Sequence, residues 1–235
     1  MPHDLIAAGP LRFSTFFRPC SWVSGDIFDI FRLDETHYGF YLADAVGHGV
    51  AAGLLTMYIK HAIQPKTITG GEYTIARPSE VLSALNDQLA AQRLPDSQFI
   101  TGWYGIINCT TLRLDYAVAG HPPPMLIDKT GLVGELHGDG SLLGLCAGQK
   151  FTDESIVLRP GQRVALYSDG LESVLIERRP PLPGMPQLKS GVSEKLSTAP
   201  NELRADLTER LDTLPGGLSE ADDASMVILD IVDMH

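Results

Sequence analysis

His37-Tyr38-Gly39-Phe40-Tyr41-Leu42-Ala43-Asp44-Ala45-Val46-Gly47-His48-Gly49 begins as a strand and ends as a turn. His37 to Ala43 mixes aromatic and apolar residues as strands do, and the run stops at Asp44, where Gly47 and Gly49 break it. From Val50 the apolar positions Leu54, Leu55, Tyr58, Ile59, Ala62 and Ile63 recur at helical spacing. A carboxylate therefore stands between a strand and a helix, where a turn can hold a ligand.

Upstream, Leu11 to Phe17 and Ile27 to Leu33 read as strands. Downstream, a second helix starts near Pro78 or Ser79 and runs to about Gln92, with Val81, Leu82, Leu85 and Leu89 on one face. Strands follow at Phe99 to Asn108, Leu112 to Ala119, Met125 to Ile127, Ser155 to Leu158, Arg163 to Tyr167 and Ser225 to Val232, with a helix over Asn201 to Leu214. The short connections suit antiparallel pairing. Gln64 to Arg77 and the Pro-rich Arg178 to Pro200 are expected to be loop insertions.

The acidic residues carry the chemistry. Four short Gly-containing or turn-like windows hold carboxylates without any Lys or Arg: Ser24-Gly25-Asp26-Ile27-Phe28-Asp29, Asp44 to Gly49, Ser168-Asp169-Gly170-Leu171-Glu172 and Ala221-Asp222-Asp223-Ala224-Ser225. Brought together, such carboxylates repel one another unless protons or divalent cations neutralise them. Oxygen-only ligands favour Mg²⁺, Mn²⁺ or Ca²⁺ over zinc, and paired Mg²⁺ or Mn²⁺ ions commonly cleave phosphate esters.

The remaining composition narrows the choice. The 235 residues, 44% of them hydrophobic, can bury one substantial core, and 1–235 reads as a single domain. A net charge of −11 argues against nucleic acid and anionic membranes as partners and leaves a protein substrate or partner. Cys20, Cys109 and Cys146 are odd in number and lack close metal-ligand spacing, as expected of reduced thiols in a cytoplasmic protein. No cysteine is followed by an Arg-bearing phosphate loop, so a thiol nucleophile has no visible parts. The start lacks signal-peptide features, and no run of about 18 apolar residues offers a membrane span.

Val23-Ser24-Gly25-Asp26, Ala43 to Gly49, Ala119-Gly120-His121-Pro122-Pro123-Pro124, Tyr167 to Glu172 and Asp222-Asp223-Ala224-Ser225 together resemble the sporulation-stage-two-E/RsbU branch of metal-dependent type 2C (PP2C-like) protein phosphatases. Order and spacing match over about residues 13–232, and the resemblance is nearest to the phosphatase output domain of RssB-like response regulators. It implies an α-β-β-α sandwich of two antiparallel sheets flanked by helices. It also implies two divalent metal ions, Mn²⁺ or Mg²⁺, and hydrolysis of phosphoserine or phosphothreonine by a metal-activated water.

Carried over residue by residue, the resemblance makes Asp44 the bridging ligand and gives Ala45 a role through its backbone carbonyl. Asp169 and Asp222 complete one metal, and Asp26 serves the other. Asp29 and Asp223 are further candidates, either of which can equally hold a turn. Gly25, Gly47, Gly49 and Gly170 are expected to permit positive φ or close approach. His48 and His121, set between Gly or Pro neighbours, read as structural hydrogen-bonding groups. Arg12 and Arg18 read as surface residues, and no dedicated phosphate-binding arginine is evident, so weak turnover of small phosphoesters is expected.

The implied partners are a phosphorylated anti-anti-sigma protein of the STAS type and an N-terminal receiver or sensor domain, and the resemblance admits a homodimer. Three prolines among Pro180-Pro181-Leu182-Pro183 depart from the pattern of many relatives and disfavour a helix there. The alternative reading is a non-catalytic interaction module of a response regulator that controls a sigma-factor pathway by binding. A degenerate module would have lost at least one of Asp44, Asp169 and Asp222, and all three are present.

Overall fold

A computed structural model describes residues 6–47, 49–69, 72–92, 98–179, 185–214 and 222–233. Strands β1 (Ile6–Ala8), β2 (Leu11–Arg18), β3 (Asp26–Arg32) and β4 (His37–Ala45) lead into helix α1 (Val50–Ala62). The hairpin β5 (Lys66–Thr69) and β6 (Glu72–Ile75) precedes α2 (Pro78–Ala91). Next come β7 (Ile100–Asn108), β8 (Arg113–Ala119), β9 (Met125–Asp128), β10 (Gly131–Glu135), β11 (Glu154–Val157) and β12 (Arg163–Tyr167). A 3-10 turn, Asp169–Leu171, opens into α3 (Glu172–Leu175), followed by β13 (Ile176–Arg178), β14 (Gln187–Leu188), α4 (Val192–Leu196), α5 (Pro200–Asp212) and β15 (Ala224–Ile231).

The chain divides into two compact units, each assembled from separated segments. One comprises Ser21–His121 and His137–Arg159. The other comprises Met1–Cys20, Pro122–Leu136 and Pro160–His235.

The first unit is built on the sheet β11-β8-β7-β4-β3, antiparallel at every step. Tyr41, Ala43 and Ala45 of β4 and Tyr104 and Ile106 of β7 are buried in one cluster with Leu55 and Ile59 of α1 and Val81, Leu85 and Leu89 of α2. Phe40 and Leu42, on the opposite face of β4, are also fully buried, which is why Phe40 to Ala43 is continuously apolar rather than alternating.

Two expectations are corrected in this unit. Leu54 was expected on the apolar face of α1 but is 67% exposed, because the inward stripe runs through Ala52, Leu55, Ile59 and Ala62 and turns Leu54 about 100° away. The stretch Gln64 to Arg77, expected as a loop, contains the β5–β6 hairpin, whose Thr67, Ile68, Thr74 and Ile75 are β-branched.

The second unit carries the sheet β1-β2-β15-β12-β9-β10, again antiparallel throughout. Its core joins Phe16, Met125, Ala165, Tyr167 and Met226 to Leu203, Leu207 and Leu211, which recur every fourth residue along α5. Arg163 and Asp230 face each other in register on β12 and β15 and form a bidentate ion pair at 2.6 and 3.0 Å. Arg163 Nη1 also donates to the carbonyls of Leu196 and Thr198, so one guanidinium satisfies the C-terminal end of α4.

The stretch Arg178 to Pro200 is likewise more ordered than a loop, since β14 and α4 lie in it and Val192 and Leu196 enter the core. Pro180, Pro181 and Pro183 lie outside the described residues. Among the described residues no helix is long and apolar enough to cross a membrane.

Candidate functional site

In the five-stranded unit, Asp26 opens β3 and stands directly opposite Asp44 of β4, which in turn stands opposite Thr101 of β7. Residues in register across antiparallel strands share a face, so Asp26, Asp44 and Thr101 form one row across three strands. Asp26 is only 6% exposed and Asp44 is half-buried. Two carboxylates set opposite each other in register favour the joint ionised state only where a cation or a donor neutralises their charge. Thr101 Oγ1 lies 2.9 Å from Nδ1 of His121, which is 5% exposed, so that histidine is a hydrogen-bonded group packed at the end of the row.

Local backbone geometry shapes this half. The Asp26 N–H donates to Ser24 Oγ at 3.0 Å, and the Ala45 N–H donates to the Gly25 carbonyl at 3.0 Å. A Cβ on Gly25 would lie 2.6 Å from the Ala45 carbonyl oxygen and 2.9 Å from that of Gly47, so only glycine lets β3 begin against the carbonyl of Ala45. Gly47 and Gly49 take φ of +97° and +82°, which releases the chain from β4 and admits it to α1. His48 lies outside the described residues.

Asp29 is placed elsewhere. Three residues beyond Asp26 on a strand of period two, it points to the helix-facing side of the sheet, where its carboxylate lies 3.5 Å from Lys60 Nζ on α1. Its ion pair accounts for it, and it takes no part in the Asp26–Asp44 row.

In the six-stranded unit, Asp169, Asp222 and Asp223 are brought together by the ends of β12 and β15. Ser168 is fully buried; its Oγ accepts the Ser225 N–H at 2.9 Å and donates to the Asp223 carbonyl at 3.1 Å. A Cβ on Gly170 would lie 2.2 Å from that same carbonyl oxygen, so the Ser-Asp-Gly turn and the Asp-Asp pair close on each other only with glycine there. Partial desolvation, then the Asp222 and Glu172 carboxylates, push the pKa of Asp169 up from its ordinary value.

Asp169 and Asp222 reach solvent, whereas Asp223 is 3% exposed and its Oδ1 accepts the Cys20 N–H at 2.8 Å. Asp223 thus holds the turn, and Asp222 is the outward member of the pair. The Cys20 thiol lies within 4.8 Å of both carboxylates, and burial with the Asp223 charge pushes its pKa up to about 11. Cys20, Cys109 and Cys146 are all free thiols.

Arg18 pairs with Asp212 at 2.5 Å and Arg12 donates to the carbonyls of Gly9 and Leu11, so both are engaged within their own unit. Thr101 and Cys20 were not legible as neighbours of the acidic residues. Thr101 sits on a strand 57 residues beyond Asp44, and no short-range pattern ties Cys20 to Asp223, 203 residues away.

The model of the family described as stage II sporulation protein E (SpoIIE) matches residues 34–232. The chain is 26% identical to the phosphoserine phosphatase RsbP of Bacillus subtilis, over 94% of this chain and 52% of that protein. It is 27% identical to the phosphoserine phosphatase RsbU of the same organism, over 90% of this chain and 60% of that one. The chain therefore spans little more than half the length of these relatives. Among solved structures it resembles the PP2C phosphatase domain of SpoIIE from Bacillus subtilis with a TM-score of 0.73 and 16% identity, covering 94% of this chain and 62% of that one. This likeness establishes a PP2C-type fold, consistent with antiparallel sheets that each carry their own helices.

Proposed function

The chain belongs to the stage II sporulation protein E family, and on that premise we propose that it is a metal-dependent serine/threonine phosphoprotein phosphatase. The observation that carries the proposal is the register-opposed pair of Asp26 and Asp44, one of them 6% exposed. We assign the metal ligands to Asp26, Asp44 and the backbone carbonyl of Ala45 in the five-stranded unit, and to Asp169 and Asp222 in the six-stranded unit. The donors are all oxygen, which fits Mn²⁺ or Mg²⁺ better than a thiophilic metal.

Two divalent ions would supply Lewis acidity toward a phosphoryl group and lower the pKa of water for in-line attack. The chain's own residues hold that chemistry in place. Gly25 leaves room for the Ala45 carbonyl, Ser168 and Gly170 lock the Asp169 turn against Asp223, and Asp223 fixes the backbone beside Asp222. Asp29, ion-paired with Lys60, is left out of the ligand set.

The substrate we propose is a STAS-type anti-anti-sigma protein carrying phosphoserine or phosphothreonine, encountered in the cytoplasm. Residues 1–235 act as one output domain controlled by a receiver or sensor module. Support for one domain comes from the interleaving of its two units, since neither can be cut out as a continuous piece.

The test is release of inorganic phosphate from such a phosphoprotein with Mn²⁺ or with chelator, by wild type and Asp44→Asn. Metal-dependent release that falls at least about a hundredfold in the variant is expected. Binding of the phosphoprotein without any release would instead favour an interaction module.

A further inference from the structure

Arg179 follows β13 and folds back onto the turn that carries Asp169. Its Nε and Nη2 donate to Glu172 Oε1 at 3.0 and 2.7 Å, its Nη1 donates to Glu135 Oε1 at 3.0 Å, and Nη2 also donates to Tyr167 Oη. Tyr167 is the last residue of β12 and is fully buried; Glu172 is the first of α3. Asp169 lies between them, two residues after one and three before the other. A single guanidinium therefore clasps both ends of the turn.

The clasp is anchored in the sheet. Glu135 ends β10, its side chain is 2% exposed, and Arg179 supplies the positive charge that a carboxylate at that depth requires. Glu172, the other carboxylate that Arg179 holds, begins α3 immediately after the 3-10 turn that Asp169 opens. The planar fork of arginine can serve three acceptors from one position, which the single ammonium of lysine does far less well.

We propose that Arg179 is a positioning residue for the Asp169 ligand, setting the affinity of the chain for its divalent cation by holding the Tyr167–Glu172 turn without touching metal or substrate. This inference rests on the metal-binding reading of Asp169. Partners that hold a ligand from behind commonly alter metal affinity about 10–100-fold when removed.

The experiment is calorimetric titration of Mn²⁺ into wild type, Arg179→Lys, the double variant Arg179→Met with Glu135→Gln, and Asp169→Asn as control. Arg179→Lys keeps a charge for Glu135, and the double variant removes the buried carboxylate together with the guanidinium that meets it. Both are therefore expected to fold, as checked by circular dichroism and by metal-free melting temperature. Both should bind Mn²⁺ at least about tenfold more weakly. Phosphatase activity should return toward wild type when Mn²⁺ is raised to saturation, which a general loosening of the fold would not allow.

Wild-type Mn²⁺ binding that Asp169→Asn weakens, with unchanged affinity in both folded Arg179 variants, overturns the role of Arg179 alone. Absence of Mn²⁺ binding in the wild type, or binding that Asp169→Asn leaves intact, overturns the metal reading and the inference with it.

Discussion

Asp34 closes the turn before β4 with a carboxylate that accepts the N–H groups of Thr36 and His37, both at 2.7 Å, and meets His37 Nδ1 at 2.9 Å. Burial alone would push its pKa up, but these hydrogen bonds and the histidine outweigh it and bring the value from 3.8 to about 2. A pKa depressed in the folded state means that the stabilisation is present above the unfolded value and is lost as pH falls through the folded one. Asp34→Asn is expected to cost roughly 1 kcal/mol at pH 7, and the deficit should close between about pH 4 and pH 2 when urea denaturation is followed across that range. A deficit independent of pH would show that the charge is irrelevant. The same scale separates Asp26 from Asp29. Both lie in one acidic window, and either one qualifies by composition, but strand periodicity puts them on opposite faces and gives Asp29 to Lys60.

Helix α5 shows how much of an element can be read in advance. Leu203, Leu207 and Leu211 are each at most 3% exposed, as their spacing of four predicts. Replacing Leu207 with Ala should cost about 2–5 kcal/mol, since the site is enclosed by a packed cluster, whereas Leu54→Ala on the exposed side of α1 should change stability by no more than about 0.5 kcal/mol. Chemical denaturation of the two variants side by side checks both, and equal costs would contradict the assigned faces. Most strands and the three long helices were legible because each carries a periodic apolar pattern of its own. The β5–β6 hairpin, β14 and α4 were not, since short elements rich in Thr, Lys or Ser look like loops until their pairing or docking partner is known.

Across the whole molecule, a charge of −11 is combined with carboxylates that stand in register or share a turn, so a divalent cation should bind the folded chain and not the unfolded one. Mn²⁺ at a hundredfold excess over its Kd should add about 2.7 kcal/mol, or roughly 5–10 °C in Tm for a chain of this length, and Asp169→Asn should blunt the rise in a thermal scan. A Tm unmoved by millimolar Mn²⁺ would argue against the assigned ligands. By itself the sequence determined the order of the main elements, the family and the acidic windows, because periodicity, turn residues and motif spacing are local properties of the chain. Only the tertiary structure decided which carboxylates share a face, that Cys20 sits beside Asp222 and Asp223, and that Arg179 ties Glu172 to Glu135 and Tyr167. Those contacts depend on strand register and on side chains meeting across up to 203 residues of chain, and no spacing along the sequence encodes them.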